Sequence, residues 1–235
     1  MPVSTASFAG FQPEAVEFLA ELAQHNDRAW FQPRKGDYER LLKSPLEELC
    51  VALDAEFVAR GIPLMADPAK SPFRIYRDVR FSKDKSPYKT NVGASFAYVE
   101  RSADGEVIAA AGHRGGGYFH LSPGEIYVGG GMWHPDPEPL AAWRMLVDKR
   151  PKQVYAAIED PGFVSQFGAV SGDRSKRMPA GYAADHPEAQ LLTLKDVTFG
   201  KRLTDKEAFS RKLPAILAED LGSATPVLRL LAGLG

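Results

Sequence analysis

The stretch Gly117-Tyr118-Phe119-His120-Leu121-Ser122-Pro123-Gly124-Glu125-Ile126-Tyr127-Val128-Gly129 decides the fold class. Two runs of alternating residues flank Ser122-Pro123-Gly124, a turn signal in which proline presets one dihedral and glycine accepts a positive one. A turn centred on Pro123-Gly124 sets Leu121 opposite Ile126, His120 opposite Tyr127, Phe119 opposite Val128 and Tyr118 opposite Gly129. One face of this hairpin, with Phe119, Leu121, Ile126 and Val128, is a core side. The other holds Tyr118, His120, Tyr127 and Gly129, continued by Gly131 and Trp133. Glycines opposite aromatics leave space, so one reading is that this face lines a pocket. The reading preferred for a lone histidine on a strand is that a helix covers this face and His120 makes a satisfied buried hydrogen bond.

Outward from the hairpin, Asn91–Glu100, Phe73–Phe81 and Val197–Leu203 read as further strands, and Arg101–Gly116 as a loop. The N-terminal third reads as helix. Gln12-Pro13-Glu14 starts one, with a stripe of Val16, Leu19, Ala20, Leu22 and Ala23. Asn26-Asp27 ends it and caps a short second helix carrying Trp30 and Phe31. A third runs from Pro45 to Ala59, with Leu46, Leu49, Cys50, Leu53 and Phe57 on one face, and ends at Gly61-Ile62-Pro63. Beyond the hairpin, helices are expected over 137–148 and 151–159, an irregular stretch over 171–185, and a short helix over 188–194. Thr204-Asp205-Lys206-Glu207 has the form of a capping box. Helices follow it to Leu231, interrupted around Pro214 and at Gly222–Pro226. This order argues an α+β fold: a small, mainly antiparallel sheet with N- and C-terminal helices on it, in one domain over 1–235.

The composition is that of an ordinary globular chain, with 44% hydrophobic and 25% charged residues in 235. The net charge of −1 excludes a globally basic nucleic-acid binder. A single cysteine, Cys50, forms no internal disulfide and no cysteine-based zinc site, and is expected to be a buried inert thiol. Neither a signal peptide nor an apolar run of membrane-spanning length is visible, so a cytoplasmic location and no membrane association are expected.

The charge is unevenly spread. Residues 1–70 hold 7 basic and 11 acidic residues, a net of −4, whereas 71–120 hold 8 and 5, a net of +3. Arg74 to Lys89 concentrates six basic residues (Arg74, Arg77, Arg80, Lys83, Lys85, Lys89), two carboxylates and two tyrosines, Tyr76 and Tyr88. In a strand, Arg77 shares a face with Phe73, Ile75, Val79 and Phe81, where an unpaired charge is costly. Arg74, Tyr76, Asp78 and Arg80 share the other. Guanidinium forks flanking a cleft suit a phosphate or carboxylate. The structural alternative is that Asp78 neutralises Arg74 and Arg80 while the lysines are solvated loop charges.

Other motifs point away from familiar chemistries. His113, His120 and His134 fit no ligand spacing, so no metal and no cofactor are expected. Gly115-Gly116-Gly117 and Gly129-Gly130-Gly131 match no phosphate-loop pattern, and no nucleophile elbow occurs.

Several of these segments resemble the DUF2461 family of conserved hypothetical proteins from bacteria and fungi. They are Phe8–Phe11 with Pro13-Glu14, Asn26–Phe31, Phe73–Asp78, Arg80–Lys89, Tyr118–Gly124, Gly129–Gly131 before Trp133, Pro179–Tyr182 and Asp185–Pro187. His25 stands where that family is expected to carry Asn. The resemblance spans about residues 8–232. It implies one domain, with the basic segment as the place to look, and brings no activity, cofactor or catalytic residue.

Three functions are open at this stage. The first is a module binding a phosphate-bearing small molecule or nucleic acid. Its charge comes from Arg74, Arg77, Arg80, Lys83, Lys85 and Lys89 around Asp78; its ring surfaces come from Tyr76, Tyr88, Tyr118, Tyr127 and Trp133, beside His120. The second is an enzyme with Asp78 or His120 as general acid/base on a phosphate or carboxylate substrate. The third is a structural or interaction protein in which Arg77 lies in a buried ion-pair network, with the acidic N-terminal helices as partner.

Overall fold

The computed structural model describes residues 8–80, 82–102, 105–110 and 115–234. Helix α1 (Pro13–Gln24) starts on its proline, and Asp27 caps α2 (Arg28–Phe31) by accepting from Trp30 N. The buried stripe of α1 is Ala15, Phe18, Leu19 and Leu22, rotated from the expected one because Phe18 turns its large ring inward. A short 3₁₀ turn (Gln32–Arg34), α3 (Lys35–Tyr38) and a π turn (Glu39–Lys43) lead into α4 (Ser44–Arg60). Leu46, Leu49, Cys50, Leu53 and Phe57 are buried on α4, and Gly61 terminates it.

The sheet is antiparallel. Strands β1 (Leu64–Met65), β2 (Val92–Arg101), β4 (Gly116–Ser122), β5 (Glu125–Met132) and β6 (Val197–Arg202) lie in the order β1-β2-β4-β5-β6, and β3 (Val107–Ala110) pairs with β2. The central hairpin has the expected register, with Tyr118 opposite Gly129, Phe119 opposite Val128, His120 opposite Tyr127 and Leu121 opposite Ile126. Gly124 carries the positive φ of 77° that the turn requires.

The C-terminal part supplies α5 (Pro137–Lys149), α6 (Pro151–Ile158), α7 (Pro161–Phe167), α8 (Ala189–Leu192), α9 (Asp205–Ala208), α10 (Leu213–Ser223) and α11 (Thr225–Ala232). The capping box of α9 forms, with Thr204 and Glu207 satisfying each other's backbone N–H. Pro214 occupies the first turn of α10 instead of interrupting a helix, a position where its missing N–H costs nothing. Helix α7 is not expected from periodicity; its signal is Asp160-Pro161, in which the aspartate accepts from Gly162 N and Phe163 N.

Two strand expectations need correction. Phe73–Phe81 is not a strand: only isolated bridges, Pro72 to Ala94 and Tyr76 to Tyr88, break an otherwise irregular path, and Phe81 lies outside the described residues. The reason is local. Asp78 accepts from Arg80 N and Asp84 from Ser86 N, so carboxylates fold the backbone into turns that compete with a ladder. Conversely, the expected loop over 101–116 contains β3. All four of its residues are exposed, so no buried alternation marks it.

One face of the sheet carries the core. Phe11 stacks on Phe119, Phe57 meets Phe96 edge-on, and Phe163 meets Phe199 edge-on. Helices from both ends of the chain therefore close on the same face, and the buried residues form one cluster from Phe8 to Leu234. Full burial of such a side chain contributes roughly 1.5–3 kcal/mol. Among the described residues, no helix is long and apolar enough to cross a membrane.

Cys50 lies in this core, and burial, helped by the Glu47, Asp67 and Asp54 carboxylates, pushes its thiol up to about 12. The thiolate is the reactive form. Native protein at about pH 8 is therefore expected to be inert to a disulfide-exchange reagent, and protein in guanidinium to react at Cys50. Rapid native reaction, followed by absorbance, contradicts this placement.

Candidate functional site

The basic segment is built as a twisted, hairpin-like loop. Arg77 N donates to Pro87 O and Lys89 N to Ile75 O, which ties its two ends together. Its base is anchored by Tyr88, which is only 1% exposed and stacks on Phe31 at 4.1 Å. Asn26 clamps the same residue, donating from Nδ2 to Tyr88 O and accepting from Tyr88 N, each at 3.0 Å. Tyr88 is thus a core anchor, and the expectation of a stacking surface there is corrected. Tyr76 remains exposed and rests against it at 5.4 Å. Asn26 is a site residue that sequence reading used only as a helix end.

Among the described residues, two of the segment's six cations are neutralised within it. Arg80 chelates Asp78, with Nε 2.9 Å from Oδ1 and Nη2 2.6 Å from Oδ2. The Arg80 hydrogen bonds hold the Asp78 carboxyl down at about 2. Arg77 pairs with Asp84, whose carboxyl is lowered by Ser86 first and Arg77 second. The Arg77 side chain is 28% exposed and its partner more than half exposed. This corrects the expectation of a deeply buried pair against the acidic N-terminal helices: the carboxylate comes from the loop, and α1's C-terminal end contributes the neutral Asn26. Lys85 donates to Val79 O at 2.9 Å, and Lys83 is exposed.

Arg74 and Lys89 are different. Neither has a carboxylate within 4 Å among the described residues. The Lys89 ammonium lies 5.1 Å from the centre of the Phe73 ring. It is lowered first by burial and then by the like charge of Arg74. Lys89 also borders a cleft of about 280 Å³ shared with Asn26, Arg77, Asp84 and Asn91.

From Phe73 an aromatic ledge runs across the outer face of the sheet. Phe73 and Tyr118 are 6.2 Å apart, and Tyr118 and Tyr127 6.5 Å. The Tyr118 hydroxyl is 2.9 Å from His120 Nδ1, which Asn91 Nδ2 also approaches at 3.4 Å. His120 Nε2 is 3.0 Å from Ser122 Oγ. No helix covers Tyr118, His120 or Tyr127 completely, as all three are half-buried. The space over the glycines is instead filled by the tyrosine rings, which stand at 55° to each other. A Cβ on Gly200 falls 1.8 Å from the Tyr127 hydroxyl, one on Gly129 falls 2.8 Å from its ring, and one on Gly93 falls 3.4 Å from the Tyr118 ring.

Among the described residues no contact brings Asp78 to His120, and no cluster of three metal-ligating side chains occurs. Trp133, 74% exposed, packs against His134 beyond the end of β5, with ring centres 4.1 Å apart and planes tilted by 33°, and shows no contact with the basic segment among the described residues. His134 is held at a φ of 45° with its N–H donating to the buried Asp196 at 2.6 Å. His113 lies outside the described residues.

Burial lowers His120 below the ordinary imidazole value of 6.5, against a smaller upward pull from Glu125. The unfolded chain therefore takes this proton first as pH falls. His120's contribution to stability is complete above about 6.5 and is lost as pH falls from there through the folded midpoint. An NMR titration is expected to place His120 below 6.5, and His120→Gln to flatten the acid-side loss of stability. A midpoint above 6.5 contradicts the assignment.

No curated protein and no solved structure matches the chain. The family described as Conserved hypothetical protein (DUF2461) matches residues 14–229, nearly the full length, and the chain belongs to that family.

Proposed function

We propose that the protein is a cytoplasmic module that seats a phosphate-bearing anion between Arg74 and Lys89, beside the ring of Phe73. The observation that carries this is the contrast within one segment. Arg77 and Arg80 have carboxylate partners, whereas Arg74 and Lys89 act on each other as like charges with none within 4 Å among the described residues. Two neighbouring cations with no paired carboxylate, Arg74 acting on Asp78 only at longer range, gain from an anion that binds both, and guanidinium and ammonium donors suit phosphate oxygens. Asn91 borders the same cleft as Lys89 and adds a donor. Binding is favoured over catalysis because Asp78 is committed to Arg80, and both ring nitrogens of His120 are engaged by neighbours.

Calorimetry with inorganic phosphate and ADP at low salt tests the proposal. Exchanging Arg74 and Lys89 for Gln is expected to weaken binding about tenfold or more, since each charged hydrogen bond contributes roughly 1.5–3 kcal/mol. The charge-neutral double exchange Asp78→Asn with Arg80→Gln is expected to change it less than about twofold, within the small effect of an exposed pair. Absence of binding by the wild type, or equal loss in both variants, rejects this seat.

A further inference from the structure

We infer that the phosphate-bearing ligand is a single-stranded nucleic acid whose bases lie on Tyr118 and Tyr127 across the open face of the sheet. This rests on the reading of Arg74 and Lys89 as an anion seat and extends it.

The argument starts from where the rings are. Tyr118 lies on β4 and Tyr127 on β5, adjacent strands in the middle of the sheet, on the face opposite the helices. Glycine on the neighbouring strand β6 lets the Tyr127 ring lie down, whereas at Gly93 an added Cβ meets Tyr118 at an ordinary contact distance of 3.4 Å. At Gly200 the three nearest atoms to an added Cβ all belong to Tyr127. Any side chain there lifts the ring.

The polar tips of the two rings are tied. Tyr127 donates to Phe199 O at 3.3 Å, and the Tyr118 hydroxyl meets His120 at 2.9 Å. Both rings stay half-buried on this face and stand at 55° to each other. Glu125, whose charge acts on both tyrosines, is paired with Arg202 at 3.1 Å, which offsets its repulsion of a polyanion.

The series of rings argues for a polymer. A mononucleotide occupies one ring and one phosphate seat. Here Phe73, Tyr118 and Tyr127 follow one another at 6.2 and 6.5 Å, leading away from Lys89. Aromatic platforms on an open antiparallel sheet, with cations at the rim, hold unpaired bases by stacking, and a duplex has no free base faces to offer.

The test uses the full chain and fluorescein-labelled mixed-sequence RNA and DNA of about ten nucleotides, within the usual footprint of such surfaces. Single strands are expected to bind at least about tenfold more tightly than the matching duplex, with an affinity that falls as salt rises. Tyr118→Ala and Tyr127→Ala are each expected to weaken binding about tenfold, and Tyr127→Phe, which keeps the ring, less than about twofold. Gly200→Ala, which displaces the ring without removing it, is expected to match Tyr127→Ala. Circular dichroism melts establish that each variant is folded, and Tyr127→Ala carries the test should Gly200→Ala unfold.

If phosphate or ADP binds while single strands do not, the inference is overturned and the anion seat stands. If none of them binds, both fail. Equal affinity for single strand and duplex, or equal loss in Tyr127→Phe and Tyr127→Ala, also overturns it.

Discussion

The pairing of β4 with β5 is the constraint on which the rest depends. Side chains alternate with period 2, so a slip of one residue exchanges the two faces of a strand. With Leu121 opposite Ile126, Phe119 and Val128 turn toward the helices, where Phe11 stacks on Phe119. The same register sends Tyr118, His120 and Tyr127 outward as a group. The turn at Pro123-Gly124 sets that register, and β2 and β6 add to the two free edges with matching parity, contributing Phe96 and Phe199 to the core. Core and candidate site are two consequences of one alignment.

Charge works on a shorter scale. The chain's near-neutral balance suggests a basic loop opposed by acidic helices, but the neutralisation is local. Asp78 and Asp84 each take a backbone N–H and an arginine of the same loop. Carboxylates within a few residues reach their partners with little chain ordering, whereas a distant helix has to be brought into place by other contacts. What anchors the loop to the helices is uncharged: the buried Tyr88 ring and the two hydrogen bonds of Asn26. Of the four cations left without a carboxylate partner among the described residues, Arg74 and Lys89 lie where the loop meets the sheet.

The sequence was most legible where side-chain pattern and backbone turn agreed. The hairpin register, the capping box at Thr204, the Asp27 cap and the buried face of α4 all follow from residues close in the chain. Reading failed where one side chain overrode a pattern. Alternation over Phe73–Phe81 suggested a strand, yet aspartates in and after it turn the backbone and leave Phe73 partly exposed. Strand β3 failed for the opposite reason, because a strand exposed on both faces has no hydrophobic period. At the site, the segment was visible as a concentration of charge, but which arginines are spent on which aspartates depends on loop geometry. Likewise, glycine opposite tyrosine was visible as space, while its filling by a reclining ring depends on rotamers that no spacing encodes.

The outer face is not what folding alone favours. Glycine in a strand loses more conformational freedom than alanine, at roughly 0.5–1 kcal/mol for each replacement, and offers no side chain to its neighbours. A sheet serving only as a lid on the core gains from β-branched residues at such positions. Here Gly93, Gly129 and Gly200 sit beside two tyrosines whose hydroxyls are tied at the tips. Gly93 and Gly129 also approach neighbouring backbone closely, so their absence of side chain has a structural cause as well. At Gly200 the three nearest atoms to the missing Cβ are all from Tyr127, the closest at 1.8 Å. Any side chain there displaces that ring, so glycine at 200 maintains the ring's orientation.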